Sequence, residues 1–245
     1  MTQTSSVLAN DFGEQHAIGG EHYRAWVGPP KEYDVMGAQQ FNMLTHAGML
    51  EKHTLLDVGC GSLRGGRYSI MYLRPGHYYG IEPTEWALAD GKCSLGEEFL
   101  SLKRPTFSSD SDFTLTTFGR TFDFILVHSV FAHAASNQIS RCLEQAKQVM
   151  HDDSVMLATF CEGPEDYAGT EWVYPRPTEY TKPFITKLVQ DSGLHCTHVN
   201  YPHPYEQQWF IVTKTDRPID VNRIVTGENF SWETVSRRRE LALQD

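Results

Sequence analysis

The sequence predicts an α/β protein built on a doubly wound, mostly parallel sheet. Three observations carry that reading. Apolar runs alternate with helical stretches, the first run turns into a glycine-rich loop, and the last two runs lie too close together for a helical crossover. A length of 245 residues suits one compact domain with elaborations.

Residues 1–20 are polar and aperiodic, and read as a loose arm. Tyr23 and Trp26 precede a Gly-Pro-Pro break, after which 37–50 reads as an amphipathic helix with Phe41 and Leu44 on one face. Residues 1–50 thus form an N-terminal arm and helical cap, and 51–245 the domain it covers. Strands are expected over 53–59, 78–82, 122–129 and 153–160, with a short one at 106–108. Helices are expected between them, over 64–73, 84–102 and 137–150. Residues 161–183, rich in Gly, Pro and aromatics, read as a long functional loop. A helix near 180–192 stops at Gly193, and strands at 194–201 and 207–214 flank Pro202-His203-Pro204-Tyr205-Glu206. That spacing suits a hairpin, so the sheet finishes antiparallel. A last helix is expected over 231–243.

The net charge of −10, with no lysine-rich block, argues against a nucleic-acid partner. Arg237-Arg238-Arg239 sits among acidic neighbours and reads as a solvated helix face. The five cysteines are odd in number and contain no CxxC pair, which favours free thiols in a reducing cytoplasm. No apolar run approaches the ~18–20 residues needed to span a bilayer, so no membrane partner is expected. His195, Cys196 and His198 cannot converge from one strand, and no metal is expected.

The chemistry concentrates in Leu55-Leu-Asp57-Val-Gly59-Cys60-Gly61-Ser-Leu-Arg64-Gly-Gly66 and Tyr79-Gly80-Ile81-Glu82-Pro83. Gly59 and Gly61 let the backbone turn at a strand end and approach a ligand, and the next helix offers unpaired N–H groups. Glu82 ends the second strand, where a carboxylate can accept both ribose hydroxyl protons. A dinucleotide fingerprint needs a third glycine where Arg64 stands. Asp57, just before the loop, would also repel a pyrophosphate.

Asp57-Val-Gly-Cys-Gly61 followed by Gly80-Ile-Glu82 resembles the class I S-adenosylmethionine-dependent methyltransferases, chiefly over residues 50–160. Tyr33-Asp34-x-x-Gly37-Ala-x-Gln40-Phe41, Gly61-Ser-Leu-Arg64-x-Gly66 and Gly80-Ile-Glu-Pro83 are similar to a bacterial subgroup that acts on small molecules. The resemblance implies a Rossmann-like, seven-stranded sheet with an antiparallel last strand, and S-adenosylmethionine as cofactor. Asp57, Gly59, Cys60, Gly61 and Arg64 would border its methionine part, and Glu82 with Pro83 its ribose. Asp112 and Phe113 would meet the adenine, with Asp110 competing for the first role. His128 and Ser129 would lie near the transferable methyl.

A hydroxyl acceptor needs a base, and histidine suits neutral pH. His133 ranks first, His203 second and His128 third. Tyr33, Gln40, Trp172, Tyr174 and Gln208 are candidates for the acceptor side. The expected activity is methylation of a small molecule, most simply at a hydroxyl of a natural product or sugar-like metabolite, by a monomer or homodimer. An N-methyltransferase, or a non-catalytic binding protein of the same fold, stays open as the alternative.

Overall fold

A computed structural model describes residues 11–217 and residue 219. The expected helix over 231–243 and the Arg237–Arg239 cluster lie outside the described residues.

The cap contains helices α1 (Tyr23–Trp26) and α2 (Tyr33–His46). The domain then runs β1 (Leu55–Val58), α3 (Gly66–Tyr72), β2 (Tyr78–Ile81), α4 (Glu85–Leu95), α5 (Glu97–Lys103), β3 (Thr106–Ser108), β4 (Phe122–Val127) and α6 (Ser136–Val149). It continues through β5 (Met150–Glu162), β6 (Glu179–Tyr180), α7 (Lys182–Asp191), β7 (His195–Val199) and β8 (Gln208–Thr213).

The strands lie in the order β3-β2-β1-β4-β5-β8-β7, and β6 pairs only with the end of β5. Every neighbouring pair from β3 to β5 is parallel. β8 runs antiparallel to both β5 and β7. The seven-stranded path with one reversed last strand is therefore the arrangement expected, with β6 as an addition.

The alternation behind it is visible in the core. On β5 and β8, Met156, Ala158, Phe160, Phe210 and Val212 pack on the α6–α7 face. Val155, Leu157, Trp209 and Ile211 pack on the other face, with Met43 and Leu44 of α2. Strands covered on both faces read as continuous apolar runs, which is why the sequence exposes them.

Some boundaries differ. The single helix expected over 84–102 breaks at Gly96, whose φ is +83°, into α4 and α5. α2 begins four residues earlier than expected, because Tyr33 and Met36 are buried with Gly37, Gln40, Met43 and Leu44 on one helical stripe. Residues 11–20, expected as a loose arm, instead form turns. Gly13 N–H donates to Asp11 Oδ1 (2.8 Å), and Gly19 N–H to Ala25 O (2.8 Å).

α2 lies directly on the glycine loop. A Cβ on Gly37 would stand 2.3 Å from the Arg64 carbonyl oxygen, a backbone atom that cannot swing aside. We expect Gly37→Ala to lower stability by about 1–3 kcal/mol. A denaturant midpoint measured against the wild type tests this; an unchanged midpoint would show that α2 can lift without cost.

Candidate functional site

A cavity of about 680 Å³ opens at the carboxyl ends of β1, β2 and β4, the customary ligand edge of such sheets. Its floor is the loop after β1. Gly59 and Cys60 donate their N–H groups to Ile81 O (2.8 and 3.1 Å). Gly61 has φ +55°, and a Cβ there would meet Val27 Cγ1 at 2.5 Å, so the cap closes directly over the turn. Glu82 fixes the floor from β2: Oε2 accepts from Gly61 N–H and Oε1 from Thr84 N–H, both at 2.8 Å. Asp57 lies beneath, accepting from the Tyr78 hydroxyl at 2.6 Å. Burial pushes its carboxyl up to about 6, helped by the charge of Glu82 and opposed by the Tyr78 hydrogen bond.

One side wall carries Asp110, Ser111 and Phe113. Asp110 Oδ1 accepts N–H groups from Asp112 (3.0 Å) and Thr114 (2.7 Å), a local turn that holds Phe113 at φ +53°. That turn puts Asp112 outside. Its side chain is 81% exposed, lies 3.5 Å from Arg141, and does not line the cavity. Asp110, the competitor, takes the wall position.

Of the three histidines, His128 and His133 line the cavity, and His203 is buried behind His128. His128 Nε2 lies 3.0 Å from His203 Nε2. His203 Nδ1 accepts from Tyr205 N–H (3.1 Å), so a neutral His203 carries its proton on Nε2 and donates it to His128. His128 then holds its own proton on Nδ1, facing Ser129 Oγ (3.2 Å) and the Gln40 amide (2.9 Å). The proton count requires the oxygen of that amide to face the ring. Neither nitrogen of His128 is left to accept a proton from a ligand. Both rings are held neutral: burial and each neighbouring cation or imidazole lower His128 well below its usual range, and burial with Arg64 lowers His203 to about 3.

His133 differs. Its Nδ1 faces the carbonyls of Val173 (3.0 Å) and Arg176 (3.2 Å), which fixes the proton there. Nε2 therefore carries a lone pair, with no partner among the described residues. Burial lowers its pKa, opposed by those two carbonyls.

The roof comes from the cap and from the loop before β6. Tyr174 packs on Trp26 and His133 (both 4.9 Å between centroids), and Trp172 lies 5.7 Å from His133. The Tyr174 hydroxyl donates to Trp26 O, tying the two segments together. Gln40 lines the cavity, whereas Tyr33 does not: it is fully buried and donates to Ser62 O (2.9 Å), bracing the loop from behind. Gln208 also lies off the cavity, because successive residues of an extended strand alternate faces. Gln207 points inward instead, accepting from Thr159 Oγ1 (2.7 Å) and Ser129 Oγ (3.1 Å). Ile18 and Tyr205 are lining residues the sequence offered no signal for. Arg64 and Pro83 also line the cavity.

No family sequence model matches the chain, and no curated protein matches it in sequence. Solved structures match in shape. Magnesium protoporphyrin IX methyltransferase from Synechocystis PCC 6803, with bound S-adenosylhomocysteine, superposes with a TM-score of 0.59 at 16% identity, over 83% of this chain and 94% of that one. CalS10 from Micromonospora echinaspora, an amino pentose methyltransferase with bound S-adenosylmethionine, gives 0.58 at 14% identity, over 75% and 92%. DesVI from Streptomyces venezuelae gives 0.57 at 13%, over 76% and 93%. The fold is thus the one used by S-adenosylmethionine-dependent methyltransferases. Among the described residues, no helix is long and apolar enough to cross a membrane.

Two outcomes follow from the buried charges. Asp57 titrates near 6 when folded and near 3.8 when unfolded, so its contribution to stability is full below 3.8 and lost as pH rises through 6. Asp57→Asn should therefore stabilise the ligand-free protein at pH 7 by about 2–3 kcal/mol and raise its melting temperature. Differential scanning calorimetry reads it, and a lower melting temperature refutes it. His203 has the opposite sign: stability is present above its unfolded value of 6.5 and is lost as pH falls toward about 3. His203→Gln should flatten the fall of stability between pH 7 and 5, measured by urea titration at each pH.

Proposed function

We propose that this protein is an enzyme that transfers a methyl group from S-adenosylmethionine to a hydroxyl of a small-molecule acceptor. The observation that carries the reading is one cavity lined both by the Glu82-braced glycine loop and by His133, whose Nδ1 is held by two carbonyls so that Nε2 keeps its lone pair.

The residues present fit that cofactor. Glu82 uses both oxygens on backbone donors, yet each oxygen has a further lone pair for a ribose hydroxyl. Asp110 and Phe113 suit a purine amine and its ring. Asp57 and Glu82 give the floor negative charge, which favours a ligand bearing an ammonium or sulfonium. The cavity lies within the ~300–1,000 Å³ usual for ligands of this size.

When bound, the cofactor would supply a methyl activated on its sulfonium, which passes in line to the acceptor oxygen as the carbon–sulfur bond breaks and S-adenosylhomocysteine leaves. The chain's task is then positioning, exclusion of water and removal of one proton. His133 Nε2 accepts the acceptor's hydroxyl proton. The resulting imidazolium is stabilised through Nδ1–H by the Val173 and Arg176 carbonyls. His128 and His203 serve as a neutral, hydrogen-bonded wall and not as bases, because their acceptor nitrogens are used by each other and by Tyr205.

Trp26, Trp172 and Tyr174 line this end of the cavity, and the Tyr174 hydroxyl is spent on Trp26 O. A flat acceptor with one reactive hydroxyl suits this end of the cavity. The similar structures whose names state a substrate act on small molecules, a porphyrin and an amino pentose. Five free cysteines fit a cytoplasmic setting, and we infer no nucleic-acid partner and a monomer or homodimer.

Calorimetry with S-adenosylhomocysteine tests the cofactor site. Glu82→Ala should weaken binding at least about tenfold, with the loss of charged hydrogen bonds; unchanged affinity sinks the reading. In a screen of hydroxylated acceptors that follows S-adenosylhomocysteine release, His133→Gln should keep cofactor affinity and lose about 10²–10⁴ in kcat. A loss of that size in His203→Gln, with none in His133→Gln, would move the base elsewhere.

A further inference from the structure

The geometry points to Gln207 as the residue that recognises the methyl acceptor, by donating an amide N–H to a carbonyl oxygen that the acceptor carries besides its reactive hydroxyl. Gln207 is 6% exposed and lines the cavity. Its Oε1 accepts from Thr159 Oγ1 (2.7 Å) and Ser129 Oγ (3.1 Å). Those two hydroxyls fix which way the amide faces. Thr159 is fully buried and its Oγ1 accepts the Ser129 N–H at 2.8 Å, so among the described residues its proton has only Gln207 Oε1 to go to. Turning the amide over would strand that buried proton. The same contacts hold Ser129 at φ +59°, a conformation that persists at a residue other than glycine where the surroundings over-determine it.

The remaining protons run in one direction. Tyr205 N–H donates to His203 Nδ1, and His203 Nε2–H to His128 Nε2. His128 Nδ1–H faces Ser129 Oγ, whose own proton goes to Gln207 Oε1. The chain ends on an amide whose Nε2 has no partner among the described residues and is not sealed off from the cavity. Hydrogen bonds accepted at the oxygen polarise the amide and strengthen its N–H groups as donors. A donor left unpaired in a site this buried is costly, and a ligand oxygen offsets that cost.

Position separates this donor from the groups that suit the cofactor. Ser129 follows β4 and Thr159 lies on β5, whereas Glu82 and Asp110 follow β2 and β3, on the other side of β1. His133, after β4, and Cys161, near the end of β5, line the cavity from the same half as Gln207. On the methyltransferase reading, on which this assignment rests, that half belongs to the acceptor. An ammonium has no lone pair for the amide, and Asp57 and Glu82 disfavour a further anion in the cavity. A neutral carbonyl meets both conditions. The acceptor class is a hydroxylated aryl ketone or quinone, with its hydroxyl at His133 and its carbonyl at Gln207.

The test measures binding of matched probes to the full chain saturated with S-adenosylhomocysteine: the ortho, meta and para hydroxyacetophenones, each against the ethylphenol of the same pattern, which lacks only the carbonyl. The wild type should prefer at least one ketone over its partner by about fivefold or more. Gln207→Glu keeps an oxygen for the Thr159 and Ser129 hydroxyls and puts a second oxygen where the donor stood. At about pH 8, where the introduced carboxyl is ionised, it should bring the preference within about twofold and leave S-adenosylhomocysteine affinity within about threefold. No preference in any pair for the wild type, or an unchanged preference in Gln207→Glu, overturns the assignment. So does a loss confined to S-adenosylhomocysteine affinity, which would give the amide to the cofactor. Should Gln207→Glu fail to fold, Gln207→Met decides on the same preference: its loss supports the assignment and its survival overturns it. Failure of the wild type to bind S-adenosylhomocysteine would refute the cofactor reading alone, because the ketone preference is then read on the ligand-free chain with the same outcomes.

Discussion

The Glu82 carboxylate holding the Gly61 and Thr84 N–H groups is the interaction on which the rest of the site depends. It ties the turn after β1 to the end of β2, where both strands have run out of ladder partners. With the turn fixed, Asp57 is held below it and Arg64 beyond it, and α2 can settle on the Arg64 carbonyl at Gly37. The cap then closes over Gly61 through Val27. Each contact is short-range, so a shift of the turn would be passed on undiminished to the cap.

The charges that this arrangement buries are poorly balanced without a ligand. Asp57 is driven toward protonation, Arg64 lacks an ion-pair partner among the described residues, and two imidazoles share a single proton between their facing nitrogens. Such groups cost folding free energy and persist where binding recovers it. The site is thus assembled at the expense of the fold that carries it.

Much of this was legible in the sequence, for definite reasons. Strands buried on both faces betray themselves as apolar runs, and the eight residues between β7 and β8 leave no room for a crossover. The glycine loop and Glu82 were legible because steric need and charge restrict those positions to few residue types. What escaped was set by local geometry of one or two residues. Asp110 and Asp112 look alike in sequence until a turn sends one inward. Gln207 and Gln208 differ only by strand phase, which nothing before Gln208 announces. Residues 11–20 have no periodicity because their order comes from turns and from contacts made elsewhere, such as Gly19 against Pro175.

The reversed last strand has a consequence for how the chain acquires its shape. Among the described residues β8 is the last strand in chain order, yet it sits inside the sheet, between β5 and β7. β7 therefore has no neighbour until β8 arrives, and β5 presents an open edge during the same interval. Gln207 and Tyr205, which wall the cavity, come with the same hairpin. A nascent chain can form the glycine turn before that, but it has no closed chamber until β8 has left the ribosome. Any ligand that fills the chamber thus acts on the finished fold and offers no template to its assembly.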